Sequence, residues 1–197
     1  MPEVLVLYYS RGGSVRTLAD LVARGVESVP EMRARIRSVP PVAPVTHAAQ
    51  PPVPAHGAPY ARLDDLRECA ALALGSPTRF GNMAAALKHF LDETGALWLE
   101  GALIDKPAAV FTSTATHHGG QESTLLSMAL PLLHHGMILV GLPFSEVPLR
   151  QTSSGGTPYG ASHVSGEEDD RPVTDDERAL AIALGRRLAD ITARLQP

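Results

Sequence analysis

The chain has 197 residues, enough for one α/β domain with a buried core, and its 44% hydrophobic and 19% charged residues are ordinary for a globular protein. A net charge of −4 gives no footing for nucleic-acid binding, no uninterrupted apolar stretch is long enough to span a bilayer, and the N-terminus opens on a strand pattern rather than an export signal. One cysteine, Cys69, excludes an intrachain disulfide framework, fits a reducing cytoplasm and reads as a small core residue.

In chain order, Val4 to Tyr9 is a continuous apolar run of the kind found in central strands. The loop Ser10-Arg11-Gly12-Gly13-Ser14 follows, then a helix with Val15, Leu18, Ala19, Val22, Val26 and Val29 at helical spacing. Strand, Ser/Gly loop, helix is an anion-binding layout, because backbone N–H groups converge where the helix dipole is positive. The loop lacks the lysine of a P-loop and the glycine spacing of a dinucleotide fingerprint, so a phosphate monoester held by neutral donors is the expected ligand. Met32 to Val39 alternates apolar residues with Arg33, Arg35 and Arg37, which predicts a half-exposed edge strand. The Pro- and Ala-rich stretch from Pro40 to Pro59, with His47 and His56, predicts a surface loop, and Leu63 to Glu68 a short helical turn.

Cys69 to Leu74 is a second buried strand, and Gly75-Ser76-Pro77-Thr78-Arg79-Phe80-Gly81-Asn82-Met83 follows it. Glycines that admit close backbone approach, an aromatic ring, a cation and short polar side chains together suit a flat, polar-edged ring system. A helix is predicted from Ala84 to Leu97, with Gly95 near its C-cap. Trp98 beyond it reads equally as a packed anchor, a lid over a flat ligand or an interface residue. Pro107 to Ser113 is a fourth strand, followed by the hydroxyl-rich loop Thr114 to Glu122, a helix from Glu122 to His135, and a fifth strand from Met137 to Leu142. The pairs His117-His118 and His134-His135 point apart on regular elements and no further residue completes a ligand spacing, so no metal site is expected. No nucleophile elbow is present, which leaves hydrolase chemistry unsupported. Residues 143–172 read as a second long loop, its acidic run Glu167 to Asp170 as solvated surface. The last helix opens with the capping box Thr174-x-x-Glu177 and packs through Leu180, Leu184, Leu188, Ile191 and Leu195.

The sum is a single domain over residues 1–197, with long loops at about 40–62 and 143–172. Five strands alternating with helices predict a parallel sheet of order 2-1-3-4-5 between two helical layers, with the ligand between the ends of strands 1 and 3.

The motifs Pro77-Thr78-Arg79-Phe80-Gly81-Asn82-Met83, Leu91-Asp92 to Trp98, Gly119-Gly120-Gln121-Glu122, Leu133 to Met137 and Gly155 to Ala161 occur in one order over almost the whole chain. In them the chain resembles the WrbA-type NAD(P)H:quinone oxidoreductases, FMN-dependent members of the flavodoxin-like fold. The resemblance implies a flavodoxin-like three-layer sandwich and two-electron reduction of quinones by NADH or NADPH, with hydride passing through the flavin. It implies that Ser10, Arg11, Gly12, Gly13, Ser14 and Val15 hold the FMN phosphate. Pro77, Thr78, Arg79, Phe80 and Asn82 would line the ring and ribityl chain, and Ser113, Thr114, Ala115, Thr116 and Gly119 the other edge. His134 would lie near the pyrimidine portion, as the one candidate to stabilise negative charge, and Trp98 above the flavin where nicotinamide and quinone bind. The implied assembly is a cytoplasmic homotetramer, a dimer of dimers, whose sites draw on more than one subunit. Gly12 stands where the family often has tyrosine, which bears on the choice between NADH and NADPH, and Thr116-His117-His118 replaces a glycine run of some relatives. The alternatives are a flavodoxin-like electron carrier and a non-catalytic flavin-binding regulator; the modest net charge and the intact loops speak against them.

Overall fold

The computed structural model describes residues 1–42 and 56–196, so His47 and most of the Pro/Ala-rich stretch lie outside the described residues. In chain order the elements are β1 (Glu3–Tyr8), α1 (Ser14–Glu27), β2 (Arg33–Ser38), α2 (Leu63–Glu68), β3 (Ala71–Arg79), β4 (Asn82–Met83), α3 (Ala85–Asp92), α4 (Gly95–Leu99), β5 (Pro107–Thr114), α5 (Gln121–His134), β6 (Ile138–Leu139), α6 (Val147–Gln151), β7 (Ala161–Val164) and α7 (Asp175–Leu195).

The apolar runs are buried on both faces because alternate residues enter different cores. Val4, Val6 and Tyr8 of β1 and Ala109 and Phe111 of β5 pack under α1 and α7. Leu5, Leu7, Leu72, Leu74 and Val110 pack under α2, α3 and α5. On the first face α1 and α7 approach closely: a side chain on Gly25 would strike the Ile182 carbonyl, and one on Gly185 the Val22 carbonyl. At the edge, β2 is half-exposed as expected, with Ala34 and Ile36 packed on the first core, and two of its three arginines are engaged in ion pairs. Arg35 reaches Glu3, Asp65 and Glu68, and Arg37 reaches Asp65.

The sheet path is β2-β1-β3-β5-β6, with β4 folded back antiparallel on β3 and β7 paired parallel to β5. The expected order therefore holds along the parallel path, while seven strands replace the expected five. The fifth position holds the main difference. Only Ile138–Leu139 of the run Met137 to Leu142 forms a strand, paired with Pro107 and Ala108 at the start of β5. The rest of that flank is taken by β7, opposite Phe111 to Thr114. The chain leaves the sheet where Val140 N donates to Ala108 O (2.7 Å) and Leu142 N to Pro158 O (2.9 Å). Gly160 then fits against the Val110 carbonyl, where no Cβ has room. Residues 143–172 are thus not a uniform loop but carry α6 and β7.

The predicted helix Ala84 to Leu97 is also divided, into α3 and α4. The Leu91 carbonyl accepts from Thr94 N (3.1 Å) and Thr94 Oγ1 (2.7 Å), which closes α3, and Gly95 opens α4 rather than capping α3. Cys69 lies just before β3, buried, and burial pushes its thiol up to about 11. It is inert core, as its sequence context indicates.

Candidate functional site

Three strand ends meet at one edge of the sheet. The first loop leaves β1 beside β3, where Tyr9 N donates to Gly75 O (3.0 Å). Ser10 Oγ then accepts from Gly13 N (3.1 Å) and Arg16 N (3.4 Å), which curls the loop under the start of α1. Gly13, at φ 116°, is the N-cap, a backbone conformation that favours glycine. Gly13 brings no side chain to cap α1, Ser10 supplies an acceptor to the Arg16 amide alone among those of the helix, and the first turn holds no acid. The amides of Ser14 and Val15 have no intrahelical partner and sit at the positive end of the helix dipole. Neutral donors and no internal carboxylate make an anion cradle.

The second loop is narrower than the sequence predicts, because β3 continues through Gly75 to Arg79. The turn itself is Phe80 (φ 54°) and Gly81 (φ 75°), after which Asn82 and Met83 pair back on Arg79 and Thr78. Ser76 Oγ accepts from Ala84 N (2.8 Å) and pins the base of this hairpin. Phe80 is wholly exposed at the tip, Arg79 donates through Nη1 to the Thr78 carbonyl (2.6 Å), and Asn82 Oδ1 accepts from Met83 N (2.8 Å).

The third loop follows β5. Thr114 Oγ1 donates to Thr116 O (2.8 Å), and Gly119 N donates to the same carbonyl (3.1 Å). Thr78 Oγ1 joins the second loop to the third by donating to Gly119 O (3.3 Å) and lying 2.8 Å from Thr124 Oγ1. Gly120, at φ 91°, stands so near Gly81 that a Cβ would come within 2.9 Å of its Cα.

These loops enclose a cavity of about 410 Å³. The first contributes Ser10, Arg11, Gly12, Ser14 and Val15, the second Pro77, Thr78 and Arg79, and the third Ser113, Thr114 and Ala115. Gly13 faces a neighbouring cavity of about 340 Å³ on the β2 side, with Tyr8, Tyr9 and Tyr60. Phe80, Asn82, Thr116 and Gly119 belong to the same loops without lining the larger cavity. The site can hold a phosphate monoester at α1 and a polar-edged ring system between the hairpin and the third loop.

One wall comes from a segment that the sequence reading assigns elsewhere. Ser165 to Asp169 line the cavity opposite the first loop, and Ser14 Oγ donates to Asp169 Oδ1. The acidic run is exposed, as expected, and Glu167 to Asp169 in addition line the mouth of this cavity. Its only signal in the sequence is its position after Ala161 to Val164, and that strand is too short and polar to recognise.

Trp98 and His134 lie together, but away from this edge. Trp98 Nε1 donates to the His134 carbonyl (2.8 Å), and the indole is 53% exposed. His134 ends the 14-residue α5, which places it about 20 Å from the N-terminus of that helix at 1.5 Å per residue. It lies instead by the start of β5, where Asp105 N donates to Gly136 O (3.0 Å). In this chain neither residue lines the cavity between the three loops. The adjacent histidines do point apart: His134 is exposed, while His135 is buried with Nε2 2.9 Å from Thr94 Oγ1, and burial pushes its imidazolium down. Among the described residues, no three His, Cys, Asp or Glu side chains gather as a metal site.

A model of the family described as NADPH-dependent FMN reductase matches residues 2–148. A protein named NAD(P)H dehydrogenase (quinone) from Solidesulfovibrio magneticus is 43% identical, over 98% of this chain and 99% of that relative. A protein of the same name from Trichlorobacter lovleyi is 42% identical, over 99% of each chain. Among solved structures, a WrbA-like flavodoxin protein from Agrobacterium tumefaciens superimposes with a TM-score of 0.72 at 20% identity, covering 100% of both chains. Oxidised flavodoxin 1 from Bacillus cereus gives 0.61 at 14% identity, covering 95% of this chain and 97% of that one. These two likenesses establish the flavodoxin-like fold.

Proposed function

The chain belongs to the NADPH-dependent FMN reductase family, and on that premise we propose that it is an FMN-dependent NAD(P)H:quinone oxidoreductase. The observation that carries the reading is the convergence of three strand-end loops on one cavity, with a helix start on its wall whose N-cap is glycine and whose own first turn carries no acid. That is the carboxyl edge of a parallel sheet, where open α/β folds bind their ligands.

The residues present fit FMN. Ser10, Ser14 and Val15 would hold the phosphate through amides and hydroxyls, with Gly13 shaping the turn between them and the α1 dipole contributing up to about 2 kcal/mol. Pro77, Thr78, Arg79, Phe80 and Asn82 would flank the ring and ribityl chain on one side, and Ser113 to Thr116 with Gly119 on the other. Bound there, FMN would supply the redox chemistry that links NAD(P)H oxidation to two-electron reduction of a quinone. The chain's own part is to bind, to orient and to screen the ring from water.

We infer further that the working unit is a homotetramer in which Trp98 and His134 of one copy complete the site of another. Their separation from the loops within a protomer supports this, as does a row of exposed leucines on α5, Leu126, Leu130 and Leu133. A cytoplasmic location is supported by the single, free and buried Cys69.

The test is anaerobic. Reconstituted protein is mixed with NADH or NADPH while flavin absorbance is followed, and benzoquinone is then added. Bleaching followed by full recovery is expected; tight FMN binding without bleaching by either nucleotide would turn the assignment to an electron carrier. Trp98→Ala is expected to change KM for quinone or NAD(P)H and leave FMN retention intact; unchanged steady-state parameters would remove Trp98 from the substrate site.

A further inference from the structure

Asp169 stands where the phosphate cradle opens. Its Oδ1 accepts from Ser14 Oγ in the first turn of α1, and its Oδ2 fills the space beside Gly12, where any Cβ would collide with it. The carboxylate thus takes the place and the donor that an anionic ligand of this cradle would use. We propose that Asp169 is a built-in competitor for the phosphate, carried on a strap that swings away when a phosphate monoester binds. It thereby sets the affinity of the site for FMN. The proposal rests on the reading of the three loops as an FMN site.

The strap is built for such a movement. Its ends are pinned: Ser165 N donates to Thr114 O (2.8 Å) and Arg171 N to Ser165 O (2.9 Å). Between them Gly166 has φ 81° and Asp169 φ 57°, a left-handed conformation that is uncommon for a residue other than glycine, and Asp169 N donates to Gly166 O at a long 3.3 Å. Displacement therefore need involve only Gly166 to Asp170. A carboxylate and a phosphate cannot share the same few donors, because like charges in contact repel and each needs those hydrogen bonds. Gly12 belongs to the same device, since only a residue without a side chain leaves room for Asp169 at that point.

The experiment titrates apoprotein with FMN, followed by quenching of flavin fluorescence, in the unmodified chain, Asp169→Ala and Asp170→Ala; riboflavin, which lacks the phosphate, is titrated in parallel. Asp169→Ala is expected to bind FMN about tenfold tighter, the equivalent of one charge-assisted hydrogen bond released from competition. Asp170→Ala removes the same charge from the same strap at an exposed residue that does not line the cavity, and is expected to stay within about twofold, and riboflavin affinity to be equal in all three proteins. If the unmodified chain binds FMN and Asp169→Ala binds it no tighter, the strap is refuted while the FMN site stands. An equal gain in Asp170→Ala, or an equal gain for riboflavin, would reduce the effect to general charge and also refute it. If no protein binds FMN and inorganic phosphate causes no change at Ser14, the FMN reading falls and the strap with it.

Discussion

Two long helices lie side by side on one face of the sheet, α1 and α7, and they begin in opposite ways. The start of α7 closes upon itself. Thr174 Oγ1 accepts from Glu177 N (3.2 Å), Glu177 Oε2 accepts from Thr174 N (2.9 Å), and three acids occupy the first turn. The fully buried Glu177 also accepts from Ser154 Oγ (2.7 Å), Gly155 N (2.8 Å), Val164 N (3.0 Å) and His163 Nδ1 (2.8 Å). The start of α1 has a glycine N-cap and no acid of its own, and Ser10 of the preceding loop is the acceptor for one of its amides. An internal carboxylate makes the first terminus a clamp that ties β7 and the preceding turn to the helix. Its absence from α1's own sequence leaves the second terminus open to a ligand, covered only by the strap at Asp169.

The α7 terminus depends most heavily on Glu177. Glu177→Ala removes the acceptor for five donors, two of them on Ser154 and His163 side chains, and is expected to destabilise the protein by about 3–5 kcal/mol in urea unfolding. A loss below about 1 kcal/mol would show that the clamp is not what holds this insertion in place.

Acid probes the same terminus without mutation. Burial alone would push the Glu177 carboxyl up, but hydrogen bonds from His163, Thr174, Ser154 and Val164 outweigh it and hold the group down at about 2. A carboxyl depressed in the folded state contributes stability above its ordinary value near 4.5, and loses it as pH falls toward 2. Unfolding free energy measured between those limits is expected to fall steeply, and the slope to flatten in Glu177→Gln. Parallel slopes in the two proteins would place the acid sensitivity elsewhere.

At α1 the expected effects pass from stability to binding. Ser10→Ala removes the acceptor for Gly13 N and Arg16 N; about 1 kcal/mol of stability and about tenfold in FMN affinity are the expected losses, read by thermal unfolding and fluorescence titration. A loss of stability with no change in affinity would make Ser10 a helix cap and nothing more. The mildest change is Arg79→Ala at the exposed hairpin, expected to leave stability within about 0.5 kcal/mol and to weaken FMN retention several-fold. Unchanged retention would remove the guanidinium from the site.

The two helix starts also differ in how openly the sequence announces them. Elements whose partners are near in sequence, or whose residues are uniformly apolar, are legible: β1 and β3 as doubly buried strands, the period of α1, and the Thr174–Glu177 box. The three loops of the site are legible because each follows such a strand. What fails depends on contacts distant in sequence. Ala161 to Val164 becomes β7 only because β5 offers an unpaired flank beyond Ala108, which nothing in four short residues announces. The division of α3 from α4 turns on the Thr94 hydroxyl reaching Leu91 O, a local cap inside an otherwise helical pattern. Asp169 reads as surface because its partner, Ser14, is 155 positions away.

The most direct measurement is hydrogen exchange of the apoprotein with and without FMN, read peptide by peptide. Slower exchange is expected in the segments 10–16, 76–83 and 113–119, with faster exchange in 166–170 as the strap lets go. Equal exchange in all three loop segments on adding FMN would contradict the placement of the cofactor at this edge of the sheet.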